Sequence, residues 1–314
     1  VVKHKRVVVT GATGTVGKAL CRRLADRGDQ VVAFARNTTA ARASLGPEPT
    51  YVCFDLGSDG SWTEALEGAD AVVNLAGATL FKPFTGRRYL DNVTQQRIEG
   101  SRRLAAAIAR TTEAPKVLVQ ASSVGVYGFG ALSDEPVTEQ TSAYEGVHSR
   151  GSAAWEATAE ISGIRAVLIR MGYVLARDGG GLPHQIQRFR SGKEAYFAPG
   201  TQWSSWIHID DLVSLILCAL DDETMAGPYN CVSPTPVRAE DFAGTLAAVV
   251  GANRPRKTPS LLAHVILGAG ADIVLRGRRV VPERLQAMEF RFQYPTLDPA
   301  IRSLTPESHS QSGA

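Results

Sequence analysis

A chain of 314 residues with 44% apolar side chains can fill one large core, and 34 basic residues against 31 acidic ones leave a net charge of +3. That near-balance argues against a nucleic-acid or anionic-membrane surface, and no apolar run approaches the ~18 residues of a membrane-spanning helix. The four cysteines, Cys21, Cys53, Cys218 and Cys231, lack metal-ligand or redox spacing, so no metal site is expected and a reducing, cytoplasmic setting fits (organellar if a transit peptide has been trimmed).

In chain order, β-branched runs predict strands at 6–10, 30–35, 50–54, 71–75, 116–121 and 165–170. Helical patterns at 15–27, 62–66, 95–109 and 151–161 fall between them. Alternation of this kind predicts a parallel sheet covered on both faces. After residue 170 the rhythm stops. A glycine loop at 178–181, a helix at 210–220 capped by an aspartate and one returning strand at 228–232 are expected, then helix and loop from 236 onward. The polar tail, 306–314, is expected to be disordered.

The strongest motif is VVVTGATGTVG, residues 7–17, in which Gly11, Gly14 and Gly17 follow a strand and open a helix. Small residues there let the backbone approach a pyrophosphate, and the helix N-terminus faces its charge. Thr13, Thr15 and Val16 complete the turn as expected cofactor contacts. At the end of the second strand an acidic residue would bond a ribose 2′-hydroxyl; here Arg36 stands in AFARN. A guanidinium suits a 2′-phosphate, so NADP(H) is expected over NAD(H), the alternative being a solvated arginine at a strand end. Asp55 and Leu56 follow the third strand, where a side chain can bond the adenine. Leu75, Ala76 and Gly77 follow the fourth and bring the backbone close, and Ser122 and Met171 end the fifth and sixth. The expected fold class is α/β: a Rossmann-like doubly wound parallel sheet with a smaller C-terminal substrate lobe. Residues 1–172 form the nucleotide-binding domain, with 204–232 returning to it; 173–203 and 233–305 form the lobe.

TGATGTVG, NLAG and SSVGVYG (122–128) resemble the extended short-chain dehydrogenase/reductases, the group that includes nucleotide-sugar epimerases. RIEGSRRLAAAI (97–108), SSWIHIDDL (204–212), SPTPVRAEDFA (233–243) and LRGRRVVPERL (275–285) resemble an atypical branch of it, the "epimerase family" proteins similar to SulA-like and YfcH-like proteins. Their C-terminal helical segment is similar to VVPERLQAMEFRFQYPTLDPAI, and the resemblance covers residues 5–304. It implies a second lobe that closes over the substrate. It also implies a serine that polarises a carbonyl, a tyrosine that moves a proton and a lysine four residues later that holds the ribose.

Ser123 fits the serine position. The tyrosine–lysine pair is absent: with Trp155-Glu156 setting the register, His148 stands for the tyrosine, Ser152 for the lysine, and Arg97 for an asparagine. Imidazole, with an unperturbed pKa of roughly 6.5, suits proton transfer near neutrality. His148 is thus the expected acid/base, with Tyr127 and Tyr144 as other donors; the alternatives are a helix-start histidine and, for Tyr127, a packing aromatic. Gln202, Trp206 and Tyr173 are expected to line the substrate pocket, with Trp203, Arg170, Gln185, Arg188 and Phe189 as further candidates. His208 is expected to tie a loop beneath the site, while Arg278 and Arg279 either meet a substrate phosphate or form a solvated basic face. The expected partner is a small-molecule substrate, and helices 95–109 and 151–161 are candidates for homodimer pairing. Three functions follow in order: an NADP(H)-dependent oxidoreductase, a non-catalytic NADPH-binding redox sensor or assembly factor, and a nucleotide-sugar epimerase.

Overall fold

The computed structural model describes residues 4–55, 60–78, 86–129, 133–143 and 146–305. Strands β1 (Arg6–Thr10), β2 (Gln30–Ala35), β3 (Thr50–Cys53), β4 (Ala71–Asn74), β5 (Val117–Ser123) and β6 (Arg165–Met171) alternate with helices α1 (Thr15–Asp26), α2 (Thr38–Leu45), α3 (Arg87–Ile108) and α4 (Val147–Glu156). The later strands are β7 (Tyr173–Leu175), β8 (Ala195–Phe197), β9 (Trp203–Ser204), β10 (Trp206–His208), β11 (Gly227–Cys231), β12 (Val237–Arg238) and β13 (Arg256–Thr258). Among them run α5 (Leu182–Arg190), α6 (Ile209–Asp221), α7 (Ala239–Val250), α8 (Ser260–Leu267), α9 (Ala271–Leu275), α10 (Glu283–Ala287) and α11 (Leu297–Leu304).

Seven strands form one sheet in the order β3-β2-β1-β4-β5-β6-β11, every neighbouring pair parallel. Side chains alternate between two cores. Val7, Val9, Val73, Val119 and Ile169 pack with Leu20 and Leu24 of α1 and with Leu212 and Ile216 of α6. Val8, Phe34, Val72 and Leu118 pack with Leu104 and Ile108 of α3. Period-two alternation with apolar residues on both sides is what a doubly covered parallel sheet requires. Strand order reverses between β1 and β4, and the crevice outside the carboxyl ends of these strands is where such folds bind ligands. The remaining strands pair in three two-stranded ribbons, β10 with β7, β12 with β9 and β13 with β8.

Several elements depart from expectation. Helix α2 was not predicted: its only buried residue is Ala41, so it carries almost no apolar periodicity, although Asn37 caps it by accepting from Ala40 N at 2.9 Å. Helix α3 starts at Arg87 because Leu90 and Val93 are already buried. Helix α4 starts at Val147 and gives way to a single 3-10 turn, Ala157–Ala159, and 61–66 is a 3-10 turn as well. The cap of α6 is His208, whose Nδ1 accepts from Asp210 N at 3.1 Å, rather than an aspartate. Asp211 is buried instead and accepts from Gln293 N and Tyr294 N at 2.6 and 3.0 Å. Arg284 covers the outer edge of β11, donating to the carbonyls of Ala226 and Pro228 and to the Tyr229 hydroxyl. No described helix is long and apolar enough to cross a membrane. The tail at 306–314 lies outside the described residues.

Candidate functional site

One end of the crevice is the glycine turn between β1 and α1. Gly11 has φ +64°, and a Cβ there would lie 2.6 Å from the Leu75 carbonyl oxygen. A Cβ on Gly17 would overlap the Gly11 carbonyl, so the turn and the start of α1 are pressed together with no room for a side chain. Gly14 ends the turn, no side chain caps α1, and its first turn carries no acidic residue. A cradle that a Cβ would fill, facing an uncapped helix start, fits a pyrophosphate. Thr13 and Thr15 stand on its rim, with Val16 and Leu75 half-buried behind it. The glycine loop 178–181 comes close on the other side: Gly179 has φ +141°, and a Cβ on it would run into Thr15 Oγ1.

The loop after β4 is held from beneath by buried polar groups. Thr10 Oγ1 donates to Asn74 Oδ1 at 2.5 Å and accepts from Ala76 N at 3.1 Å. Asn74 Nδ2 donates to Ser101 Oγ and Gln120 Oε1, both at 2.9 Å, and Trp155 Nε1 also donates to Ser101 Oγ. Ser101 and Gln120 were missed as contributors, although a glutamine inside the apolar run of β5 is the signal of a satisfied buried network. Arg36 is exposed at the end of β2, beside the Asn37 cap of α2. It takes part in none of the ion pairs among the described residues. Asp55 is exposed just after β3, and Leu56 lies outside the described residues.

At the other end, Ser123 is half-buried and its Oγ accepts from Gly125 N at 3.1 Å. A Cβ on Gly125 would come 3.3 Å from Ser123 Oγ and 3.8 Å from Ser152 Oγ, so the two hydroxyls flank one glycine. Tyr144 and the side chain of His148 lie outside the described residues. Met171, half-buried, packs with Ile98, Ala121 and Trp155.

Five expected site residues are held by hydrogen bonds within the protein. Tyr127 is fully buried; its hydroxyl donates to Asn230 Oδ1 at 2.7 Å and accepts from Arg170 Nη1 at 2.8 Å, the packed state expected as its alternative. Burial raises its pKa, opposed by the Arg170 charge. Ser122 is buried and donates to Glu156 Oε1 at 2.5 Å. Arg170 forms a two-pronged pair with the same carboxylate, 2.8 Å on each side. Gln202 is buried, accepting from Gly200 N and donating to the Phe197 carbonyl, and buried Trp206 donates to the Thr235 carbonyl. Both hold the lobe together through these bonds.

Phe189 is buried in the main core, Arg188 is exposed on α5, and Trp203 is stacked under the Arg238 guanidinium at 3.8 Å. Arg278 and Arg279 are half-buried; Arg278 donates to the Tyr127 carbonyl and Arg279 to that of Asp134. Tyr173 stays near the crevice: its hydroxyl donates to Gln185 Oε1 at 2.9 Å and lies against Gly181 of the glycine loop. His208 is buried against Tyr294, ring centroids 3.9 Å apart, with Nε2 3.1 Å from Ser303 Oγ. No group of three or more metal-ligating side chains occurs among the described residues.

Residues 7–231 match the model of the NAD dependent epimerase/dehydratase family, and residues 258–304 match a domain of unknown function (DUF1731). The chain is similar to Epimerase family protein SH2119 of Staphylococcus haemolyticus, 33% identical over 305 residues that span 96% of this chain and 99% of that protein. Among solved structures it is similar to human epimerase family protein SDR39U1 (isoform 2) with NADPH, at TM-score 0.84 and 30% identity over 95% of this chain and 98% of that one. It is also similar to the nucleoside-diphosphate sugar epimerase from Corynebacterium glutamicum, at TM-score 0.75 and 28% identity, covering 95% of this chain and 57% of that one.

Proposed function

The chain belongs to the NAD dependent epimerase/dehydratase family, and from that premise we propose that it is an NADP(H)-dependent oxidoreductase acting on a small organic substrate. The observation that carries the reading is the glycine turn at 11–17, closed to any side chain and facing the open start of α1. The similar human protein is described with NADPH, which supports the same cofactor here. A bound nicotinamide dinucleotide would supply or accept the hydride. The chain's own groups do the rest. The turn and the first N–H groups of α1 hold the pyrophosphate, Arg36 supplies charge for a 2′-phosphate, and Asp55 stands on the adenine side. Ser123 steadies the substrate oxygen, and His148, one turn before Ser152, moves the proton in place of the missing tyrosine.

Calorimetric titration with NADPH and NADH tests the cofactor. The wild type is expected to bind NADPH more tightly, and Arg36→Asp to lose roughly ten- to hundredfold in NADPH affinity while NADH is spared. Equal affinities that Arg36→Asp leaves untouched would remove the 2′-phosphate assignment.

A nucleotide-sugar substrate, ranked third on sequence alone, moves above the non-catalytic sensor. It is supported by the family's description and by the 28% identical sugar epimerase. Incubation of the NADP⁺-loaded protein with nucleoside-diphosphate sugars, followed by NMR of the sugar ring, is expected to reveal a new epimer. His148→Ala is expected to slow its formation about 10²- to 10⁴-fold. Unchanged sugars throughout would remove the epimerase reading, and an undiminished rate in the variant would remove His148.

A further inference from the structure

Two arginines pack against α4, and among the described residues only one of them is paired with a carboxylate. Arg170 is paired on both prongs with Glu156 and donates a third bond to Tyr127. Arg97, on α3, has no such partner among the described residues. Its Nη2 donates to the Ala78 carbonyl at 2.8 Å, and its guanidinium lies over the Trp155 ring at 4.8 Å. Its Nε is buried with no hydrogen-bond partner, and no ion pair among the described residues includes it. The stretch that follows Ala78 in sequence, TLFKPFT at 79–85, carries no acidic residue. A partly desolvated cation with no counter-charge among the described residues is an unfavourable arrangement unless something else supplies the anion.

Its position says what that something is. A Cβ on Gly77 would lie 2.9 Å from Arg97 Nε, so the guanidinium sits directly against the exposed loop after β4. The same loop is pressed onto the glycine turn through the Leu75 carbonyl. On the other side, Trp155 follows Ser152 by three residues on α4, and the Ser152 hydroxyl shares Gly125 with that of Ser123. Arg97 therefore stands between the phosphate cradle and the serine end of the crevice. A guanidinium over an indole face is favoured as a cation, and its planar fork matches an oxyanion.

We infer that Arg97 is an oxyanion-binding residue of the crevice, pairing with a phosphate or carboxylate on the nicotinamide side of the bound molecules. The anion is either the nicotinamide-side phosphate of the dinucleotide or an acidic group on the substrate; both present the same chemistry to a guanidinium. The inference rests on the dinucleotide reading above.

Wild type, Arg97→Gln and Arg97→Lys are titrated with NADPH and with adenosine 2′,5′-bisphosphate, which ends before the nicotinamide-side phosphate. If the cofactor supplies the anion, Arg97→Gln weakens NADPH roughly ten- to hundredfold, leaves adenosine 2′,5′-bisphosphate unchanged, and Arg97→Lys recovers part of the loss. If the substrate supplies it, NADPH binding is unchanged and the NADP⁺-loaded variant loses binding of inorganic phosphate or malonate that the wild type shows. Where Arg97→Gln fails to fold, Arg97→Lys, which keeps the charge but not the fork, carries the same comparison. A folded variant that matches the wild type in every titration overturns this inference alone. Wild-type protein that binds neither nucleotide overturns the dinucleotide reading and this inference with it.

Discussion

Glu156 and Arg170 meet through bonds of 2.8 Å with side chains only 8% and 11% exposed, so neither charge has water to fall back on. Deleting one member leaves the other buried and unpaired. Arg170→Met is expected to cost about 3–5 kcal/mol in urea unfolding, and Arg170→Met with Glu156→Gln to recover part of it. A single variant as stable as the wild type would show that the pair does not hold β6 to α4. Residue types alone did not show the bonds that hold Tyr127, Gln202 and Trp206. A tyrosine at the end of a strand and a tryptophan before a helix read as pocket residues, but their fate depends on partners such as Asn230 and Thr235, about a hundred and about thirty residues away in sequence. The glycines of the turn were legible because their requirement is local: each is fixed by backbone within its own turn or by the adjoining strand.

At the level of elements, periodicity served well where both ends of the pattern were apolar and poorly where a helix was held by its cap or by a distant neighbour. The six first strands emerged from their β-branched runs, and α2 did not, because a cap and one buried alanine leave little pattern to read. The short ribbons β7 with β10, β9 with β12 and β8 with β13 depend on long-range pairing and left no local trace. Helix α6 has a property that follows from its histidine cap. Burial pushes the His208 imidazole down from 6.5 to about 4, against the opposing pull of Asp210. Between those two values the unfolded chain binds a proton that the folded chain refuses. The stability contributed is therefore complete above pH 6.5 and drains away as the pH falls toward 4. Urea midpoints for the wild type are expected to drop across this window, and His208→Gln to flatten that part of the profile. Parallel profiles for the two proteins would assign the acid sensitivity elsewhere.

Across the whole molecule, the sheet of residues 6–231 and the matched C-terminal stretch are one structure rather than a domain with an appendage. Leu285, Leu297, Ile301 and Leu304 are buried in the same core as β1 and α1. Arg284 covers β11, Asp211 holds the backbone of 293 and 294, and His208 meets Ser303. Truncation after Pro282 is expected to abolish cooperative thermal unfolding, followed by circular dichroism, even though every strand of the sheet is retained. A truncated chain that melts like the full one would make the segment dispensable. The close approach of Gly179 to Thr15 has a bearing on selectivity. If a diphosphate sits in the glycine turn beneath that contact, the main-chain amide hydrogens of the turn serve every nucleotide of that length alike. On the dinucleotide reading proposed above, discrimination then falls to side chains away from the turn, to Arg36 at one extremity and to Arg97 and the helical lobe toward the other, and the glycine turn itself acts as an indifferent clamp.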